Sequence, residues 1–142
     1  MTAARVVHMH FGKDGGAERF FVSLAKALAD RGVEQRFVIR PDRVWRPDIA
    51  PHGEKIENHF RHLSITVQLL PGRIKRMAEG WKPDAMLAWM PRGARLLPEL
   101  PDIVRMTRLG DYPKDLKHFT KTDLLITNTP GIAEHCRTIG WD

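Results

Sequence analysis

The sequence predicts an α/β domain: a parallel sheet with helices on both faces. Short apolar runs of strand length alternate with segments of helical period along the chain. Glycine and proline punctuate the junctions between them. A Gly15-Gly16 pair stands between the first apolar run and the first helical segment, at the sheet edge where such domains hold ligands.

Arg5-Val6-Val7-His8-Met9-His10 is a short apolar run closed by Gly12 and reads as a buried strand. Ala17, Phe20, Phe21, Leu24, Ala25 and Leu28 then follow at spacings that place them on one helical face. Glu18 falls in that helix's first turn, and Arg31-Gly32 supplies its stop. Phe37-Val38-Ile39 is the second strand, broken by Pro41. From Asp42 to His62 the pattern is irregular, with room for one short strand near Ile56–Leu63. Pro71-Gly72 is expected to open a second helix with Ile74, Met77, Ala78 and Trp81 on one side, ended by Lys82-Pro83-Asp84. Strands are expected at Ala85–Met90, Ile103–Thr107 and Leu124–Thr127, and Thr129-Pro130 opens a last helix toward Gly140.

Composition bounds the function classes. The 142 residues are 42% hydrophobic and 28% charged, ordinary for a folded domain with its own core. No apolar run approaches a bilayer span or a signal peptide, and Cys136 is the lone cysteine, so a reducing, cytoplasmic setting is expected. Lys and Arg number 23 against 17 acids, for a net charge of +6. That charge is scattered and not interleaved with aromatic residues, which argues against a nucleic-acid partner. His8-Met9-His10 puts two imidazoles on one strand face, but no third ligand is placed by spacing and no metal is expected. Cys136 within a helical pattern reads as a buried filler.

The glycine turn is the chief candidate site. First-turn N–H groups lack intrahelical partners, and with the helix dipole they attract an anion. Glycine lets a ligand approach that backbone, although a double glycine also serves a tight turn or close helix packing. The Gly12-x-x-Gly15-Gly16 spacing departs from G-x-G-x-x-G, and Asp42 after Arg40-Pro41 is misplaced for a ribose, so dinucleotide binding is disfavoured. Arg92 and Arg95 follow a strand's carboxyl end and suit a phosphorylated or acidic ligand, or else are solvated surface charge.

Several segments together resemble the N-terminal domain of a GT-B fold glycosyltransferase of the large retaining family four. They are Asp14-Gly15-Gly16-Ala17-Glu18-Arg19, the run Leu24–Gly32, Lys82-Pro83-Asp84 leading into a strand, and Thr122–Thr129. The stretches Ala88–Arg95 and Arg108–Tyr112 look like a bacterial subgroup that builds surface polysaccharide or lipopolysaccharide. The resemblance implies a Rossmann-like domain, residues 1–142, that holds the acceptor. Its partners would be a nucleotide-sugar donor, a glycan or lipid-linked acceptor, and a C-terminal nucleotide-binding domain beyond this chain, without which it would be inactive. No cofactor is implied. Gly15, Gly16 and Ala17 would face the donor's phosphates; His10, Glu18, Arg92, Arg95, Tyr112 and Asn128 are the acceptor-side candidates. Many members carry a histidine after the strand matching Ile103–Thr107, where this chain reads Thr107-Arg108-Leu109-Gly110-Asp111. Arg108 and Asp111 are therefore the catalytic candidates, the alternative being that they pair across the loop. The helix through Ile74–Trp81, with Arg73, Lys75 and Arg76, either is a core helix with a charged outer face or touches anionic lipid at the inner membrane face. Two other readings stay open: a stand-alone subunit joining a separate donor-binding chain, and a basic nucleic-acid-binding protein.

Overall fold

The computed structural model describes residues 1–142 except Met1, Asp14, Phe60, His62 and Leu63. Its first unit is strand β1 (Arg5–His10), helix α1 (Gly16–Asp30) and strand β2 (Glu34–Ile39). Phe21 and Ala25 of α1 are buried, and Gly32 at φ +79° takes the left-handed conformation that lets the chain turn into β2. Phe20 keeps the helical period but not the burial expected of it: it is 51% exposed, at the edge of the face that its neighbours bury.

The irregular stretch carries a short helix α2 (Arg46–Ile49), a single 3₁₀ turn and strand β3 (Gly53–Glu57). β3 thus lies earlier than the expected 56–63, of which Phe60, His62 and Leu63 fall outside the described residues. Helix α3 (Ile65–Trp81) begins six residues before Pro71, because Ser64 caps it: the Ser64 hydroxyl accepts from Val67 N–H at 3.2 Å. Pro71 therefore sits inside the helix, on its exposed side, where its missing N–H is tolerated. Strand β4 (Ala85–Ala88) ends two residues sooner than its apolar run, since Trp89 and Met90 bend into the short helix α4 (Pro91–Ala94). Strand β5 (Val104–Leu109), strand β6 (Leu124–Thr127) and helix α5 (Pro130–Thr138) complete the chain. The Thr129 hydroxyl accepts from Ile132 N–H at 3.2 Å and caps α5.

All six strands are parallel in the order β3-β2-β1-β4-β5-β6, a Rossmann-like topology. Side chains alternate along β1. Val7 and Met9 join Leu70, Ile74 and Ala78 of α3 on one face, while His8 and His10 lie on the other with Phe21, Phe37, Trp45 and Trp89. Cys136 is buried in the α3-side core, and burial raises its thiol pKa.

Two aspartates tie the amino edge of the sheet. The Asp84 carboxylate, just before β4, accepts from Arg5 N–H at 2.8 Å. Asp123, just before β6, accepts from Arg105 N–H at 2.9 Å and from the Arg105 guanidinium. Both lie before family-like strands, and both cap the neighbouring strand, far from the carboxyl edge.

Candidate functional site

The strand order reverses direction between β1 and β4, so connections leave their carboxyl ends on opposite sides and open a crevice. There lies a cleft of about 540 Å³. Phe11, Gly12 and Lys13 line it after β1, Arg40 and Arg43 after β2, and Met90, Pro91, Arg92 and Arg95 after β4. Five of these are cations, and none of the described lining residues is acidic. Arg43 is only 8% exposed, and its Nε has no hydrogen-bond partner. Its Nη2 donates to the Phe11 carbonyl at 3.4 Å, and its Nη1 lies 3.8 Å from the exposed Asp42 carboxylate. Desolvation, then the nearby Arg43 and Arg92, lowers the Arg40 pKa.

Beneath the glycine turn is a box of aromatic rings. The His10 imidazole stacks between Trp45 and Trp89, each ring centre at 5.5 Å, with the edge of Phe21 at 4.8 Å. Its Nδ1 accepts from Gly12 N–H at 3.4 Å; its Nε2 lies 3.9 Å from Glu18 Oε1 and has no hydrogen-bond partner. Burial, reinforced by His8, Arg108 and Arg43, lowers its pKa to about 3, so it is neutral at ordinary pH and its approach to Glu18 is not an ion pair. His8 is likewise buried, with a pKa near 4. Trp89 Nε1–H donates to His8 Nδ1 at 3.2 Å, which leaves His8 Nε2–H to donate to Gln35 Oε1 at 2.9 Å. Gln35 in turn donates to the Ala25 carbonyl at 2.8 Å. The paired histidines are thus packed groups, and among the described residues no cluster of three or more His, Cys, Asp or Glu could hold a metal ion.

Glycine's two roles in the turn separate. At Gly12 a Cβ would strike Glu18 Oε1 and stand 2.8 Å from His10 Cε1, so close packing demands glycine there. Gly15 has φ +155°, a conformation other residues rarely adopt. At Gly16 a Cβ would meet nothing within 4 Å. The N-cap of α1 is Gly15, and among the described residues no side-chain cap serves the helix, so its first-turn N–H groups lack intrahelical partners. Glu18 points inward under Gly12 and is buried.

Arg108, at the carboxyl end of β5, donates to Asn128 Oδ1 at 2.6 Å and lies over the rings of Phe20 and Trp89, each centre at 5.4 Å. Its Nε is buried without a hydrogen-bond partner, and desolvation lowers its pKa against the opposing pull of Glu18. Phe20, outside the core, is thus a wall of this group. Asp111 does not join it: its Oδ1 accepts from Tyr112 N–H at 2.7 Å. The alternative of an Arg108–Asp111 pair gives way to Arg108–Asn128. Tyr112 is exposed, with its ring edge on His135 at 5.3 Å.

The fold therefore gathers Arg92 and Arg95 into the cleft, and Arg108 with Asn128 beside it. His10 and Glu18 are buried beneath the turn, and Asp111 and Tyr112 stand on an outer loop. Arg95 Nε also donates to His118 Nδ1 at 2.8 Å. Sequence reading missed Arg40 and Arg43. The rule that picked out Arg92 would have found Arg40, which directly follows the last residue of β2.

No family model matches the sequence. The lipopolysaccharide core biosynthesis glycosyltransferase LpsE of Rhizobium meliloti is 53% identical over 137 residues, which are 96% of this chain and 40% of that protein. This chain is a glycosyltransferase homologue. The lipopolysaccharide core biosynthesis glycosyltransferase LpsD of the same organism is 44% identical over the same share of each chain. A crystal structure of a glycosyltransferase from Rickettsia africae superposes with a TM-score of 0.73 at 14% identity, over 95% of this chain and 39% of that one, and so shares its fold. The homologue described here spans about two-fifths of the length of the curated relatives it matches.

Proposed function

We propose that this chain is the acceptor-side part of a glycosyltransferase that moves a sugar from a nucleotide-sugar donor to a glycan or lipid-linked acceptor in lipopolysaccharide core assembly. The observation that carries the reading is the 53% identity to a core glycosyltransferase over nearly the whole chain. The α1 N-terminus, with no side-chain cap among the described residues, and the cationic cleft lined by Gly12 and Lys13 of the same turn add chemical support. In this reading Gly15, Gly16 and Ala17 face the donor's diphosphate, and a further domain grips its nucleotide. Arg108, held by Asn128 and the two rings, stabilises charge on the leaving phosphate, and neither a metal nor a cofactor takes part. Transfer proceeds with retention. The relatives favour neither a stand-alone binding subunit nor a nucleic-acid-binding protein.

A peripheral contact with the inner membrane face fits a lipid-linked acceptor. It is supported by the first half of α3, where Ile65 is 73% and Leu69 60% exposed, followed by Arg73, Lys75 and Arg76. No helix among the described residues is long and apolar enough to cross a membrane. The test is incubation of the full gene product with nucleotide sugars and core oligosaccharides lacking outer sugars. A mass gain of one sugar is expected; absence of transfer with every donor and acceptor overturns the proposal.

A further inference from the structure

We propose that the loop Gly110–Pro113 is a clamp on Arg108, and that Gly110, Gly131 and His135 are positioning residues for its guanidinium. That the held arginine acts on a reaction rests on the glycosyltransferase reading above; the clamp itself does not.

Arg108 needs holding because its hydrogen-bond partner is exposed. The guanidinium leans on the rings of Phe20 and Trp89, but its 2.6 Å bond goes to Oδ1 of Asn128, exposed just past β6. Water competes for such a bond, and a long side chain loses rotamer freedom in keeping it. The Asn128 backbone is tied to β5, its N–H donating to the Leu109 carbonyl at 3.2 Å. Gly110 supplies the next contact. It follows Arg108 by two residues, the interval that returns a strand to the same face. A Cβ there would stand 3.3 Å from Asn128 Nδ2 and 3.4 Å from Arg108 Nη1. Gly110 does not have a left-handed φ, so what demands glycine is close approach to the Arg108–Asn128 pair.

The far end of the loop is pinned to α5. His135 Nε2–H donates to the Pro113 carbonyl at 2.7 Å, and the Tyr112 ring meets the His135 imidazole edge-on at 5.3 Å. The Tyr112 hydroxyl lies over Gly131 in the first turn of α5, where a Cβ would come within 2.8 Å of it. The Asp111 carboxylate closes the turn by accepting from Tyr112 N–H at 2.7 Å. Contacts therefore run from α5 through His135, Pro113 and Tyr112 to Gly110 and the arginine. α5 is itself fixed, capped by Thr129 and buried in the core through Ile132 and Cys136. A planar guanidinium fork acts only where it is aimed, and this chain of contacts sets its aim.

The test uses the full gene product. Gly110→Ala forces the Arg108–Asn128 pair to give by a few tenths of an ångström. A misplacement of about 1 Å can cost about a hundredfold, so kcat should fall by about three- to tenfold. KM for both substrates and the melting temperature should change little. In an Arg108→Lys background the same substitution should cost nothing further. His135→Phe keeps a ring beside Tyr112 but loses the donor to Pro113. Its kcat should fall, and trypsin should cleave after Lys114, next to the released carbonyl, several times faster than in the wild type. His135→Gln, which can still donate, should recover much of both. Gly131→Ala suits a helix and should not lower the melting temperature, yet it displaces the Tyr112 hydroxyl and should speed the same cleavage. Losses from Gly110→Ala and Arg108→Lys that simply add overturn the positioning role, as does a normal kcat in Gly110→Ala or His135→Phe. A sharply lower melting temperature in Gly110→Ala makes Gly110 a packing residue and overturns it equally. A full gene product that transfers no sugar overturns the glycosyltransferase reading instead. The clamp is then decided by the cleavage rate alone: faster cleavage in His135→Phe supports it, and an unchanged rate overturns it.

Discussion

Replacing Gly16 by alanine should stabilise the fold and damage the reaction, whereas the same change at Gly12 should do the opposite to stability. A Cβ at position 16 meets nothing within 4 Å, and the residue opens α1 without a left-handed φ. Alanine there reduces the freedom of the unfolded chain and favours the helix, worth about 0.5–1 kcal/mol. With a urea dependence of about 1–3 kcal/mol per molar, the unfolding midpoint should rise by about 0.2–1 M. If donor phosphates approach this backbone, the new methyl group intrudes on them, and kcat/KM should fall by about tenfold, or 1.4 kcal/mol. At position 12 the Cβ would overlap Glu18 Oε1 and crowd His10 Cε1. Glu18 would have to leave its buried place, at about 1–3 kcal/mol. Paired urea titrations and transfer assays on the two variants read both quantities. A Gly16→Ala variant that melts earlier would make Gly16 a packing residue, and one with normal transfer would refute its phosphate-facing role.

The buried histidines predict an acid limb of stability well above the range where carboxylates titrate. Their folded pKa values, about 4 for His8 and about 3 for His10, lie below the unfolded value near 6.5. The unfolded chain therefore takes up protons first: stability is full above pH 6.5 and falls as pH drops toward 4. Between pH 7 and 5 the loss should be about 2 kcal/mol for each histidine, read as a falling urea midpoint; a flat profile would mean that the imidazoles are hydrated. Gln35→Leu strips partners from His8 Nε2–H and the Ala25 carbonyl, and should cost about 1–3 kcal/mol for each group left bare, measured by thermal melting. Arg108→Lys loses the planar fork that spans Asn128 and the two rings, and should lower kcat by at least about tenfold while the melting temperature changes little. An unchanged kcat would remove Arg108 from the reaction.

Much of the fold was legible because local signals agreed with the tertiary packing. The apolar run of β1, the 3-1-3-1-3 spacing of α1 and the Thr129-Pro130 cap each had one consistent reading. The start of α3 was not legible from Pro71-Gly72, since proline suits a first turn but is also tolerated on an exposed helix face; the Ser64 cap was the stronger signal. β3 hid among Pro47, Pro51 and Gly53, because its pairing with β2 is a tertiary effect.

At the site, Arg92 and Arg95 could be placed by strand-end logic, and Arg108 by its motif position. What spacing could not give was depth. Whether His10 lines the cleft or lies beneath it depends on Trp45, Trp89 and Phe21 closing around it from three different elements. Phe20 and Arg43 differ from what residue type alone suggests, in opposite directions. Phe20 keeps the helical period yet lies half exposed against Arg108, while Arg43 is charged yet buried.

The central claim is that this chain forms the acceptor side of a sugar transferase in core assembly. Its most direct test is mass spectrometry of a core oligosaccharide acceptor incubated with the purified full gene product and a panel of nucleotide sugars. The account predicts a gain of one sugar mass from one donor, strongly reduced in Gly16→Ala and Arg108→Lys. No mass gain with any donor, from a protein that is folded and intact, would contradict it.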